Sequence, residues 1–206
     1  LLVPTGEGVG LTSACLGLVY ALECQGVKAG FLKPFSQEAN TQPDRTTALY
    51  RHISNAKTVE PIAYSKITQA LNTNEVDELL EEAVSLHRQI AKAHDIIIVE
   101  GLVPTARDTF ASDLNVSLAQ ALDAKVIFVS NADINRPAHT AEKVESQVRN
   151  VGGSSAARNV GVLFMRTRGL PEDSAQIPVT IDPNLRLISD TVKFTAELQK
   201  TCPQLR

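Results

Sequence analysis

Three features of the sequence predict an α/β fold: a doubly wound, mainly parallel sheet with helices on both faces. Short β-type apolar runs alternate with amphipathic helical runs along the whole chain. The run Ile96-Ile97-Ile98-Val99 is continuously apolar, the pattern of a strand buried on both faces in a sheet covered by helices. The first strand also passes through glycines, Gly6, Gly8 and Gly10, straight into the first helix.

The elements follow in order. Leu1–Pro4 is an apolar strand end, and Gly6 to Gly10 is the turn after it. Ala14, Leu16, Leu18, Val19 and Leu22 recur at helical spacing and predict a helix over 12–26. Val27–Lys33 is the second strand, and the polar, breaker-rich loop Ser36–Thr46 leads to a helix over 45–55. Over 75–93 one apolar stripe holds Val76, Leu79, Leu80, Ala83, Leu86 and Ile90, with acidic residues opposite. Strand Asp95–Glu100, helix 114–122, strand Lys125–Ser130, helix 137–149 and strand Val160–Met165 continue the alternation. The loop Arg166–Ala175 and a helix over 184–200 complete it. Gly152-Gly153-Ser154-Ser155 is a turn too short to link domains, so residues 1–206 read as a single domain.

Composition bounds the partners. At 206 residues, 43% hydrophobic and 21% charged, the chain can bury one substantial core. A net charge of −3 gives no support for nucleic-acid binding. No apolar run approaches a membrane span, and no basic lead-in marks a signal peptide, so the expected location is cytoplasmic. The chain starts without Met inside its first strand, as a trimmed piece would. Cys15, Cys24 and Cys202 are too dispersed for a disulfide framework. Cys15 and Cys24 stand nine residues apart on one helix, roughly 13 Å along its axis.

A strand running through glycines into a helix points several backbone N–H groups and a helix dipole at one place, which suits a phosphate. Gly6, Gly8, Gly10, Thr12 and Ser13 are the candidate phosphate-binding residues. A nucleotide-hydrolysing loop carries lysine after its last glycine, and here that residue is Leu11. Lys33, ending the second strand, is placed to supply the missing charge. Thr12, Asp44 and Glu100 are the candidate Mg²⁺ ligands should a metal bind, since Mg²⁺ takes one or two carboxylates with phosphate oxygens and water. His52, His87, His94 and His139 form no pair at metal-ligand spacing, and Glu75 to Glu82 reads as a solvated helix face.

These motifs, in this order, are similar to a known family. The loop Pro4 to Ser13, Phe31-Leu32-Lys33-Pro34-Phe35, Pro43-Asp44-Arg45-Thr46-Thr47 and Ile98-Val99-Glu100-Gly101-Leu102-Val103-Pro104-Thr105 resemble the dethiobiotin synthetase-like P-loop fold. With Val126 to Ser130 and Gly161 to Phe164 they most resemble the N-terminal domain of the long bacterial phosphate acetyltransferases. Against the synthetase pattern, Pro4 replaces the opening glycine and Leu11 the loop lysine. Leu102-Val103-Pro104 replaces a small Ala-Gly-Gly run, and Met165 replaces the adenine-reading asparagine. All four changes lie in the direction of losing ATP chemistry.

The resemblance implies a degenerate P-loop domain, the N-terminal fragment of a longer acyltransferase that interconverts acetyl-CoA plus phosphate with acetyl phosphate plus CoA. It implies that catalysis belongs to a separate acyltransferase domain of the same chain, so that this fragment holds no catalytic residue. It further implies a role in holding a homo-oligomer together and in sensing a small-metabolite effector. No cofactor is required on this reading, and Mg²⁺ with a nucleotide is the open alternative. The rival reading is an ATP-dependent dethiobiotin synthetase-like ligase, or another P-loop ATPase in which Lys33 replaces the loop lysine. The loop Leu102–Phe110 is expected to present apolar side chains for self-association or for docking on the catalytic domain.

Overall fold

The computed structural model describes residues 1–38, 44–54, 58–131, 137–152, 159–165 and 186–188. In chain order the elements are β1 (Leu2–Pro4), α1 (Leu11–Cys24), β2 (Ala29–Leu32), α2 (Arg45–Ile53), α3 (Tyr64–Thr73) and α4 (Val76–Ala91). They continue with β3 (Ile96–Val99), α5 (Ala111–Ala121), β4 (Val126–Asn131), α6 (Pro137–Gly152), β5 (Asn159–Met165) and β6 (Arg186–Ile188).

Among the described residues every strand pair is parallel. One ladder runs β1-β4-β5-β6 and another β2-β3. A parallel bridge between Leu2 and Glu100, with Gly101 N–H donating to the Leu2 carbonyl at 3.0 Å, joins them. The sheet therefore reads β2-β3-β1-β4-β5-β6, with β1 and its glycine loop in the middle. Chain connections leave β1 in one direction and β3 in the other, and in α/β sheets ligands bind at such a reversal.

Strand side chains alternate between two cores, one on each face. Val3, Leu32, Val99, Val126 and Phe128 pack with α3, α4, α5 and α6. Leu2, Phe31, Ile98, Ile127 and Val129 pack with α1 and with Tyr50 of α2. The free edge of β2 is covered: Ile62 exchanges backbone hydrogen bonds with Pro34 and Ser36 at 2.9 Å, and Thr58 Oγ1 donates to the Phe31 carbonyl. Gly30 has a specific reason to lack a side chain, since a Cβ there would stand 2.8 Å from the His94 ring.

Five predicted strands and five of the predicted helices are present, with ends shifted by a few residues. Two assignments need correction. The helix expected over 184–200 is contradicted at 186–188, where Arg186, Leu187 and Ile188 pair with Gly161, Val162 and Leu163 as β6. The open ladder of β5 overrides local helical patterning there, and the rest of that segment lies outside the described residues. Helix α3 was not expected, and only Ile67 and Ala70 of its face are buried. The loop Arg166–Ala175 and Cys202 also lie outside the described residues.

The loop Leu102–Phe110 is not the exposed apolar patch expected of it. Leu102 is 1% exposed and sits in the core, with Phe110 packed half-buried against the same cluster. Two amide side chains account for this by pairing with the backbone where the chain leaves the sheet. Asn115 takes the Leu102 N–H and donates to its carbonyl, both at 2.8 Å. Gln37 does the same for Val103 at 2.7 and 2.8 Å.

Candidate functional site

The glycine loop takes the form the sequence predicts. Gly8 and Gly10 have φ of 66° and 84°, a left-handed conformation that favours glycine, and Gly10 caps α1 with no side-chain help. Thr5 anchors the loop to β4, its N–H donating to Val129 and its hydroxyl to Ser130 Oγ, both at 2.9 Å. Asn131 Nδ2 donates to the Gly8 carbonyl at 3.3 Å. Leu11, in place of the loop lysine, turns inward and is 5% exposed in the core beside Val9. Met165 lies over the loop, where a Cβ on Gly10 would meet its Cε at 3.5 Å.

Lys33, Asp44, Glu100 and Thr12 come together from four elements. Lys33 leaves the end of β2, Asp44 caps α2, Glu100 follows β3, and Thr12 lies in the first turn of α1. The Lys33 ammonium donates to Asp44 Oδ2 at 2.8 Å and to Thr46 Oγ1 at 3.5 Å. It stands 3.8 Å from Glu100 Oε1. Thr12 Oγ1 donates to the same Glu100 oxygen at 3.4 Å and lies 3.5 Å from Thr46 Oγ1. Asp44 Oδ1 accepts the N–H groups of Thr46 and Thr47 at 3.0 and 3.1 Å, a helix N-cap, while Ser36 Oγ donates to Oδ2. Gly6 lies in the loop ahead of this group. Ser13 is exposed on the first turn of α1, and the cluster does not include it.

All three charged groups are buried, Lys33 9%, Asp44 1% and Glu100 6% exposed. Burial works against ionised Asp44, but the Lys33 hydrogen bond and charge, with the Thr47 N–H and Ser36 hydroxyl, hold it below the usual carboxylate range. Glu100 goes the other way. Burial is the main cause, Asp44 adds to it and Lys33 only partly opposes it, so its carboxyl is pushed up from 4.5 to about 7. Its Oε2 is buried with no hydrogen-bond partner. Asp44 is thus the ionised partner of Lys33, and Glu100 is about half protonated at neutral pH.

Fit to a Mg²⁺ ion can be judged from these contacts. The unpartnered Glu100 oxygen and the Thr12 hydroxyl would suit a metal. The Lys33 ammonium, however, already stands between the two carboxylates. Among the described residues no group of three or more His, Cys, Asp or Glu is placed to hold a metal. The residues as arranged do not fit Mg²⁺.

Sequence reasoning missed Thr46, Ser36 and Asn115. The Asp44-Arg45-Thr46-Thr47 run carried a legible N-cap signal, whereas Asn115 sits inside a helix with nothing to distinguish it. Cys15 is wholly buried and its thiol is pushed well up by burial, as a structural cysteine would be. A cleft of about 400 Å³ between α3 and α4, lined by Ser65, Lys66, Gln69, Glu75, Glu78 and Glu82, shares no residue with the strand-end cluster.

Comparison with known proteins agrees with this architecture. The family described as AAA domain matches residues 1–193. The phosphate acetyltransferase of Acinetobacter baylyi is 62% identical over 97% of this chain, which spans 28% of that protein. The phosphate acetyltransferase of Haemophilus influenzae is 35% identical over 85% of the chain, which spans 25% of it. That of Pseudomonas aeruginosa is 38% identical over 82% of the chain and 24% of its own length. The chain therefore spans about a quarter of the length of the curated relatives it matches. Among solved structures, the Signal Recognition Particle 54 kDa protein from Aeropyrum pernix in complex with GDP aligns with a TM-score of 0.59 at 13% identity. That alignment covers 90% of this chain and 39% of the other. A DUF1611 family protein from Anabaena variabilis aligns at 0.56 and 19% identity, over 98% of this chain and 56% of its own. These two structures speak to the fold alone, a P-loop-like parallel sheet. The chain belongs to the AAA domain family, and its relatives at up to 62% identity are phosphate acetyltransferases.

Proposed function

We propose that this chain is a non-catalytic part of a cytoplasmic phosphate acetyltransferase, retained to stabilise the oligomer and to sense a metabolite. The complete protein would interconvert acetyl-CoA plus phosphate with acetyl phosphate plus CoA, in acetate metabolism, through a separate acyltransferase domain of the same polypeptide. One observation carries the non-catalytic reading: Leu11 is buried where a phosphate-clamping lysine would stand, while Lys33, the nearest substitute, is hydrogen-bonded to Asp44. Lysine or arginine clamps and metal ions supply most of the electrostatic stabilisation in phosphoryl transfer. Leu11 offers the loop no charge and Lys33 is held by Asp44, so neither position supplies that clamp. No helix among the described residues is long and apolar enough to cross a membrane.

The grouping of Thr12, Asp44 and Glu100 favours one rival, an ATP-dependent ligase or ATPase. The same experiment tests both readings. The isolated 206-residue chain is expected to hydrolyse no ATP and to transfer no acetyl group between CoA and phosphate. The intact protein is expected to carry out the transfer. ATP turnover by the isolated chain at about 1 s⁻¹ or faster, within the ordinary enzyme range, would establish the rival.

A further inference from the structure

We propose that Lys33 is the resident cation of the strand-end cluster: its ammonium fills the place a divalent metal would take, and so ties the start of α2 to the end of β2 without metal. This goes beyond the loss of catalysis, since an inactive P-loop domain could still bind Mg²⁺. The argument rests on position, charge and donor count.

Position comes first. Nζ of Lys33 lies 2.8 Å from Asp44 and 3.8 Å from Glu100, with Thr46 Oγ1 at 3.5 Å, so three oxygens, from the start of α2 and the end of β3, converge on it. A Mg²⁺ ion needs oxygen ligands at about 2.0–2.1 Å in near-octahedral array. An ion that close to the carboxylates would meet the ammonium at short range, with like charges in a site where water screens poorly. Metal and ammonium exclude one another.

Charge comes second. Asp44 is buried with the ammonium 2.8 Å from its Oδ2, one opposite charge set against one carboxylate. The further carboxyl at hand is Glu100, whose Oε1 faces the same ammonium at 3.8 Å, so the lysine stands against both carboxyls a metal would use. Leu11 brings no charge to the phosphate side, so a polyphosphate there would be held by backbone N–H groups without a lysine clamp.

What the ammonium secures comes third. Asp44 is both the partner of Lys33 and the N-cap of α2, so one ionic contact fixes the start of that helix to the end of β2. The same contact brings Thr46 against Thr12 at the start of α1. The described ends of the 33–46 connection are thereby tied to the glycine loop from inside the protein.

The test is a Mn²⁺ titration of the intact protein, followed by electron paramagnetic resonance, in wild type and in Lys33→Met and Glu100→Gln. Wild type is expected to show no saturable Mn²⁺ site that Glu100→Gln removes. Lys33→Met is expected to gain a saturable site, and the melting transition of this domain to rise by about 5–10 °C at 100-fold saturation over that without metal. A saturable site in wild type that disappears in Glu100→Gln would overturn the proposal. So would a folded Lys33→Met protein that gains no metal affinity. If Lys33→Met folds only when metal is supplied, metal has replaced the ammonium and the proposal stands. If Lys33→Met does not fold at all, the wild-type and Glu100→Gln titrations decide. ATP hydrolysis does not enter this readout, so the tie can fail while the proposed function holds, and the reverse.

Discussion

Replacing Asp44 by alanine removes a helix cap and the partner of a buried lysine together, and the geometry sizes each loss. Its Oδ1 accepts two backbone N–H groups at the start of α2, and losing such a cap costs about 1 kcal/mol. Its Oδ2 holds the Lys33 ammonium at 2.8 Å in a site where both groups are nine-tenths or more buried. Breaking a buried pair from one side costs about 3–5 kcal/mol, because the remaining charge is left in low dielectric. Here the lower end applies. Glu100 stays 3.8 Å from Nζ, and removing the Asp44 charge removes one cause of its raised pKa, so it ionises and takes over part of the pairing. Asp44→Ala should therefore destabilise the domain by about 4 kcal/mol.

Asparagine separates the two losses, since it caps about as well as aspartate but carries no charge. Asp44→Asn should cost about 3 kcal/mol, about 1 less than alanine. The chain has no tryptophan, so urea unfolding is best followed by far-UV circular dichroism, comparing midpoints at a common slope. Both variants within about 1 kcal/mol of wild type would refute the buried pair as a structural contact. Equal losses in the two would refute the cap.

Two further predictions follow. Glu100 is an acid whose folded pKa is raised, so the folded state holds the proton more tightly than the unfolded one. Its contribution is full below about 4.5 and is lost as pH rises through about 7. That gap corresponds to about 3 kcal/mol, and Glu100→Gln should flatten the stability profile between those pH values. An unchanged slope would show that Glu100 titrates normally; Asp44 does not interfere, because its depressed pKa acts below 3.8. Gly101→Ala should cost about 2–3 kcal/mol, since the methyl would stand 2.7 Å from the Leu2 carbonyl and 2.9 Å from Asn115 Oδ1. Combined with Asn115→Ala it should cost less than the sum of the two, and additivity within about 0.5 kcal/mol in the same urea assay would show that the two sites do not touch.

The central architecture was legible because its signals are local or periodic. Continuous apolar runs marked the buried strands, Ile96 to Val99 and Val126 to Ser130 above all. Glycines at 8 and 10 announced the left-handed turns that the loop adopts. What failed depends on tertiary partners. Arg186 to Ile188 is a strand because β5 offers an open ladder, which no local pattern reveals. Helix α3 escaped notice because only Ile67 and Ala70 are buried on it, too few to set a period.

At the site, the candidate charged residues could be read from strand ends, but their mutual arrangement could not. Leu102-Val103-Pro104 looked like an exposed patch because apolar residues after a strand normally face the open edge of the sheet. The amide clamps reverse that inference. With Asn115 and Gln37 satisfying the backbone of Leu102 and Val103, this segment can leave the sheet and still be buried, so Leu102 goes into the core. Gly101 is what lets Asn115 come close enough to do so. Glu100 is one residue upstream, bridged to Leu2, and is therefore held on both sides with its carboxyl kept among Thr12, Lys33 and Thr46. The same bulky residues that depart from a nucleotide-hydrolysing pattern thus belong to the scaffold that keeps the Glu100 carboxyl buried against a lysine. The polar cluster is neutralised from within by Lys33, and the backbone beside it is supported by side-chain amides.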